Sequence, residues 1–144
     1  MQPCVTLMLG FDSNVKLAWD AAVVTGENIG WIANNSSKPG RSNNNCFVVH
    51  SSNDWAKKNI NQPDDYITDS MLSTLTRLMG EEFNDYKHIG LHKWRYANIA
   101  SLNGQTFHLD LENKIAACGD WCIKGRVEAA FLSSMHLTDS LMVM

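Results

Sequence analysis

The chain has few prolines, little net charge and no long apolar run. Three prolines occur in 144 residues, hydrophobic residues make up 44% and charged residues 19%, which is an ordinary globular composition. The formal net charge of −3 gives no reason to expect nucleic acid as a partner. No stretch reaches the roughly 18 apolar residues that a membrane-spanning helix needs, so we expect no membrane partner.

The N-terminus also lacks a secretion signal, because Met-Gln-Pro-Cys contains no basic segment followed by an apolar core. The four cysteines are scattered, and Cys118 and Cys122 form the only close pair. Without a signal, free thiols in a reducing cytosol are expected, so we predict a cytoplasmic protein.

Several catalytic and metal-binding motifs are missing. The sequence contains no G-x-S-x-G elbow and no catalytic-cysteine signature, which disfavours a hydrolase. It also contains neither of two glycine-rich motifs that are typical of nucleotide-binding proteins, G-x-G-x-x-G and G-x-x-x-x-G-K-[ST]. His88 and His92 fall in a predicted strand, where they would lie ~13 Å apart. Cys118 and Cys122 bracket a turn without a matching histidine pair, so we expect no metal site.

The remaining sequence predicts an α+β fold. A length of 144 residues is that of one domain or a large piece of one. The periodicity predicts strands over 4–11, 21–25, 29–33, 46–51, 86–97, 106–111 and 114–118, with hairpin turns at 26–28 and 112–113. We therefore expect a mixed or antiparallel sheet of about six to seven strands with one main covering helix.

Two long helices are predicted, over 64–79 and 127–142, and residues 53–61 favour one or two further helical turns. Pro63 and Gly80 suit the ends of the first long helix. The apolar residues of the two long helices follow the 3.6-residue period. They are Ile67, Met71, Leu75 and Leu78 in the first, and Val127, Ala130, Phe131, Leu137 and Leu141 in the second.

The segment 92–96 is dense in aromatic and basic residues and has two interpretations. Trp94 and Tyr96 could be the buried face of a strand, with Lys93 and Arg95 exposed opposite. Alternatively, aromatic faces and a guanidinium could form a pocket wall for a planar anionic ligand.

The segment 118–134 predicts a strand, a tight Gly119-Asp120 turn and a helix N-terminus. Such a turn can present backbone N–H groups and a helix dipole to an anion or an electron-rich ring. In a purely structural interpretation, Asp120 caps the turn and Gly125 supplies a positive φ.

Three segments, in this order, resemble the C-terminal portion of the renalase-like NAD/FAD-dependent oxidoreductases, which are flavoproteins of the amine-oxidase type. They are WIANNSSKPGR at 31–41, HKWRYA at 92–97, and CGDWC with GRVEAAFLSS between 118 and 134. The similarity spans essentially the whole chain. Ala129 and Ser134 stand where the family commonly has glycine.

The resemblance implies that residues 1–113 are a substrate-side sheet domain and residues 114–144 the last strand and helix of an FAD-binding domain. Full-length members carry an N-terminal Rossmann half that this chain lacks. By the same resemblance, the FAD contacts are Gly119 and Asp120, followed by Arg126, Val127 and Glu128. Trp94, Arg95, Lys38 and Arg41 are expected on the substrate side.

The resemblance also implies a reaction, in which hydride passes from a reduced nicotinamide-type or amine substrate to FAD and then to oxygen. The flavin carries that chemistry, so no catalytic side chain is assigned. We expect the chain alone to bind FAD weakly or not at all and to be inactive without the Rossmann half. The alternative is a non-enzymatic binding domain, in which apolar surface around Val127, Phe131 and Leu141 forms a homodimer.

Overall fold

A computed structural model describes residues 1–13, 15–41, 45–102 and 104–143. The chain forms two compact units, one of residues Gln2–Arg95 and the other running from Tyr96 to the C-terminal helix together with Met1. Within the described residues, a five-stranded antiparallel sheet, a two-stranded sheet and four α-helices confirm the predicted α+β class. The assignment of residues 114–144 to an FAD-binding domain stays a prediction.

The first unit is built on the five-stranded sheet, whose strand order is β2-β3-β4-β1-β5. Alternation in β1 sends Val5, Leu7 and Leu9 into the core and the residues between them to the opposite face. The strands are β1 (Gln2–Phe11), β2 (Ala21–Val23), β3 (Ile29–Asn34), β4 (Asn45–Ser51) and β5 (His88–Asn98). The predicted hairpin of β2 and β3 is confirmed.

Two glycines bring β1 and β5 together. A Cβ on Gly10 would lie 3.3 Å from the Cβ of His88, and one on Gly90 would lie 3.3 Å from the Cε of Met8. Residue numbers rise along one strand as they fall along the other, so the two strands are antiparallel. Each glycine leaves room for a larger side chain of the neighbouring strand.

Two helices, α1 (Asn53–Asn59) and α2 (Asp64–Met79), belong to the same unit. The bounds of α2 are those predicted, and Gly80 ends it with φ +113°. Its Ile67, Met71 and Leu75 are fully buried. Leu78, which follows the same 3.6-residue period, is 39% exposed.

The core of the first unit is apolar and rich in phenylalanine. Phe11, Phe47 and Phe83 form an edge-to-face cluster with ring centroids 5.2–5.7 Å apart, a favourable geometry for aromatic pairs. The surrounding buried residues include Val5, Leu7, Leu9, Ile29, Ile32, Val49, Ile67, Met71 and Leu75.

The second unit contains the predicted hairpin and the C-terminal helix. The hairpin pairs β6 (His108–Asp110) with β7 (Ile115–Ala117), and a short helix, α3 (Asp120–Ile123), follows. Helix α4 (Val127–Met142) has the predicted bounds. Its buried residues are Ala129 and Ser133, whereas Val127 is 91% and Phe131 61% exposed. Among the described residues, no helix is long and apolar enough to cross a membrane.

Candidate functional site

The face of the five-stranded sheet opposite the apolar core carries aromatic and polar side chains. We call it the open face and define it by Thr6, Met8, Trp31, His50 and Trp94. Strand register places Trp31 opposite His50, and His50 opposite Thr6, in one row across three strands. Met8, Trp31 and Trp94 are 41%, 38% and 51% exposed, so this face presents large side chains to solvent.

A chain of hydrogen bonds runs along this row. The indole Nε1 of Trp94 donates to Thr6 Oγ1 at 3.1 Å, and Thr6 Oγ1 lies 2.9 Å from His50 Nδ1. Thr6 is buried, and its hydroxyl has a single hydrogen to donate. In the tautomer of neutral His50 with its proton on Nε2, Nδ1 accepts this hydrogen, whereas in the other tautomer Nδ1 donates to Thr6 Oγ1.

The surroundings of His50 also favour its neutral form. Burial lowers the pKa of the imidazole, and the positive charge of Lys38 lowers it further. Lys38 follows a 3-10 turn (Asn35–Ser37) that Ser36 ties to β4, because Ser36 Oγ accepts from the amide of Cys46 at 3.0 Å. Lys38, which is predicted to lie on the substrate side, thus affects the pKa of a residue of the open face.

Two other residues predicted on the substrate side, Arg95 and Arg41, do not join the row of the open face. Arg95 Nη1 donates to Asn61 Oδ1 at 2.9 Å, which commits the guanidinium to the segment between α1 and α2. Arg41 is exposed, and its amide donates to the Lys38 carbonyl at 3.3 Å. Trp94 and Lys38 are therefore associated with the row of the open face, whereas Arg95 is held on the helix side of the sheet.

The segment 92–96 is a strand, but the interpretation that its aromatic residues are buried was wrong. Trp94 and Tyr96 are 51% and 77% exposed, while Lys93 is held by Asp64 Oδ1 at 2.7 Å and by the carbonyl of Gln62 at 2.8 Å. The alternation itself is correct, with Trp94 and Lys93 on opposite sides. Helix α2 begins on the side of the sheet that Lys93 faces, so Trp94 and Tyr96 stay exposed on the other side. The rings of His92 and Trp94 pack 4.1 Å apart.

The residues predicted to contact FAD lie in the second unit, between the N-cap of α3 and the first turn of α4. The amide of Gly119 donates to Ser133 Oγ at 3.0 Å, and Gly125 takes the expected positive φ, +65°. The amides of Lys124 and Gly125 donate to the main-chain carbonyl of Asp120 at 3.0 and 2.9 Å. The turn is thus closed by the backbone of Asp120.

The N-terminus of α4 is exposed. Its N-cap, Arg126, makes no side-chain capping hydrogen bond, and the first amides of any helix have no intrahelical acceptor. Ala129 is 4% exposed, so its side chain packs inside the unit, whereas Val127 and Glu128 are exposed residues. Uncapped amides and a helix dipole fit an anionic edge of a flavin, although the Glu128 carboxylate opposes added negative charge.

The indole of Trp121 closes one side of the Gly119 turn. A Cβ on Gly119 would meet that indole, and the ring of Trp121 stacks on His108 at 5.3 Å with an interplanar angle of 12°. The same hairpin borders an open groove of about 640 Å³ that includes Asp110. Hydrogen bonds from Asn113 lower the pKa of the Asp110 carboxyl, so this carboxylate serves the β6–β7 turn.

Sequence reasoning missed Thr6 and His50. Each is a polar residue inside a strand of mainly apolar residues, which was the available signal. Among the described residues, no group of three or more histidine, cysteine, aspartate or glutamate side chains is placed to hold a metal ion.

No known family profile matches the sequence. A solved structure of putrescine oxidase, with putrescine bound, is similar in fold, with a TM-score of 0.50 and 10% sequence identity. The match covers 62% of this chain and 21% of that chain, so the similar region is about a fifth of the length of putrescine oxidase. The fold therefore resembles part of putrescine oxidase.

Proposed function

We propose that this chain is the substrate-side part, with the last strand and helix of the cofactor domain, of an FAD-dependent oxidoreductase of the amine-oxidase type. The observation that carries the proposal is the open face, where Trp31, His50 and Trp94 are exposed or half-buried, in a chain whose fold resembles part of putrescine oxidase. The order of the three renalase-like segments supports it further.

The residues that would hold FAD are Gly119, Asp120, Arg126, Val127 and Glu128. FAD, when bound, would supply the hydride acceptor and the route for electrons to oxygen. The exposed amides of Val127 and Glu128, with the dipole of α4, would stabilise negative charge on the cofactor, and the Arg126 guanidinium would pair with phosphate. A reduced nicotinamide-type or amine substrate would donate the hydride.

The cofactor half of the proposal is tested by titrating the purified chain with FAD and following backbone amide signals by NMR. These residues provide one edge of a site, so we expect weak binding, with a Kd on the order of a millimolar. The shifts should be confined to 119–128. Shifts elsewhere, or none at millimolar FAD, would overturn the assignment, and a yellow protein after purification would contradict the expected weakness.

Val127 offers a matched pair of variants for this titration, because its side chain is 91% exposed. Val127→Asp places a carboxylate beside the amides that would meet the cofactor and should abolish the shifts. An acidic residue in the first turn stabilises a helix, so the fold is preserved. Val127→Thr adds no charge and should leave the binding intact.

A second candidate function is that of a non-enzymatic, homodimeric interaction domain. The specific observation in its favour is the exposure of Val127, Phe131 and Leu141, at 91%, 61% and 48%, on α4. Light scattering over micromolar concentrations distinguishes the two candidates. A dimer that Phe131→Ser dissociates supports the interaction domain, whereas a monomer throughout excludes it.

A further inference from the structure

We propose that His50 is the polar anchor of a binding site on the open face for a planar ring that carries a hydrogen-bond acceptor and is neutral or anionic. Thr6 is its positioning residue. The inference deepens the proposed function, on which it rests for the placement of substrate at this face. It goes beyond that function by distinguishing among substrates.

The donor is defined by the hydrogen bonds around Thr6. The Trp94 indole occupies one lone pair of Thr6 Oγ1, which lies 2.9 Å from His50 Nδ1, and we infer that the hydroxyl hydrogen is directed to this nitrogen. The proton of the neutral imidazole therefore resides on Nε2, for which the described residues show no hydrogen-bond partner. A ligand that brings a carbonyl or carboxylate oxygen would satisfy this donor.

The ring is selected by two indoles. Trp31 pairs with His50 across β3 and β4, and Trp94 is bonded to Thr6 on the other side of the row. His50 thus lies between two exposed tryptophans. Flat aromatic faces bury planar ligands with little loss of side-chain entropy and favour offset stacking.

Charge argues against a cationic ligand. The outward positions of β1–β5 hold no aspartate or glutamate, and they include His50 and His92. Lys38 adds a positive charge close enough to affect His50. Indoles alone would attract a cation, but here a diamine such as putrescine would meet an N–H donor and a lysine with no carboxylate to pair with.

Three probes of matched size test the inference: benzoate, benzamide and benzylamine. Each is titrated into the full chain while the indole N–H signals of Trp31 and Trp94 are followed by NMR. We expect benzoate and benzamide to bind about tenfold more tightly than benzylamine, which is the difference expected from one good hydrogen bond. Equal affinities, or tighter binding of benzylamine, would overturn the inference.

Two variants separate positioning from folding. His50→Phe keeps a ring and removes the donor, so the preference over benzylamine should disappear. Thr6→Val keeps the side-chain shape and removes the hydroxyl. The ¹⁵N shifts of His50 should then show a mixture of tautomers, and benzoate affinity should fall at least about threefold. An unchanged tautomer in Thr6→Val would contradict the positioning role.

Thr74→Val is the control for Thr6→Val, because the Thr74 hydroxyl donates only to the Ser70 carbonyl within α2. It should leave binding and tautomer unchanged. Failure of all three probes to shift Trp31 or Trp94 would refute the ring site. The FAD titration reports on 119–128 independently, so that outcome is distinct from failure of the proposed function.

Discussion

The Ser133 hydroxyl lies 3.0 Å from the amide nitrogen of Gly119, fourteen residues earlier in the chain. Ser133 is fully buried, and it also donates to the Thr106 carbonyl at 2.5 Å. One side chain of α4 thus satisfies two backbone groups, one before β6 and one after β7. We expect Ser133→Ala to lower the free energy of unfolding by about 1–3 kcal/mol, measured by urea denaturation, because both groups lose their partner.

Ser134→Ala is the matched control. The Ser134 hydroxyl donates to the Phe131 carbonyl of its own helix at 2.7 Å and is part of the exposed surface. This change should alter the free energy of unfolding by no more than about 0.5 kcal/mol. Equal effects of the two substitutions would show that the tie to Gly119 contributes nothing to stability.

Helix α2 gives a second prediction, on packing. Leu75 is fully buried, so Leu75→Ala should cost about 2–5 kcal/mol through lost burial and a residual cavity. Leu78→Ala, one turn away and 39% exposed, should cost about 0.5 kcal/mol or less. Chemical denaturation of both variants measures the difference, and a comparable loss at Leu78 would contradict the observed orientation of the helix.

The cysteines should differ in reactivity. Burial raises the pKa of the Cys4 thiol, so less of the reactive thiolate forms there. With iodoacetamide at pH 8, we expect half-buried Cys46 and Cys118 to be alkylated first and buried Cys4 and Cys122 only on unfolding. Mass spectrometry of timed samples measures the order. Early labelling of Cys4 would show that the end of β1 opens readily.

The pH dependence of stability should carry a contribution from His50. Its pKa is lowered in the folded state, mainly by burial and then by Lys38. The unfolded chain, with an ordinary value near 6.5, takes up the proton first. Stability is therefore retained above pH 6.5 and falls as the pH drops below it, down to the folded pKa.

His50→Gln removes this contribution, because glutamine does not titrate. The test is the difference in the free energy of unfolding between pH 7.5 and 5.5, compared between the two proteins. The unmodified protein should lose more stability over this range. A larger loss in His50→Gln would require a raised folded pKa and would reverse the sign.

Element bounds were predictable wherever local chemistry sets them. The bounds of α2 and α4 follow from the 3.6-residue period, and Gly80 and Gly125 take the positive φ that only glycine adopts easily. Which faces are covered by a second layer was not predictable. A period shows which residues share a face, whereas the burial of Trp94 or Phe131 depends on whether a second layer packs there.

The candidate site depends on contacts that are distant in sequence. Thr6 and His50 are 44 residues apart, and Thr6 and Trp94 are 88 apart. Only strand pairing brings them together, and the register of β1 with β4 cannot be derived from either strand alone. At Gly119, by contrast, the signal is local, but Gly119 is the N-cap of α3, a short helix from Asp120 that the sequence analysis did not predict.

Strand β5 is the last strand of the sheet in the described part of the chain and, at eleven residues, the longest. A long unpaired edge offers its main-chain groups to any extended segment, which is a route to aggregation. The only charged residues of β5 are Lys93 and Arg95, and their contacts with Asp64 and Asn61 hold them on the helix side of this strand. The two cations thus discourage strand addition, so a change that neutralises them would threaten solubility before it affected the fold.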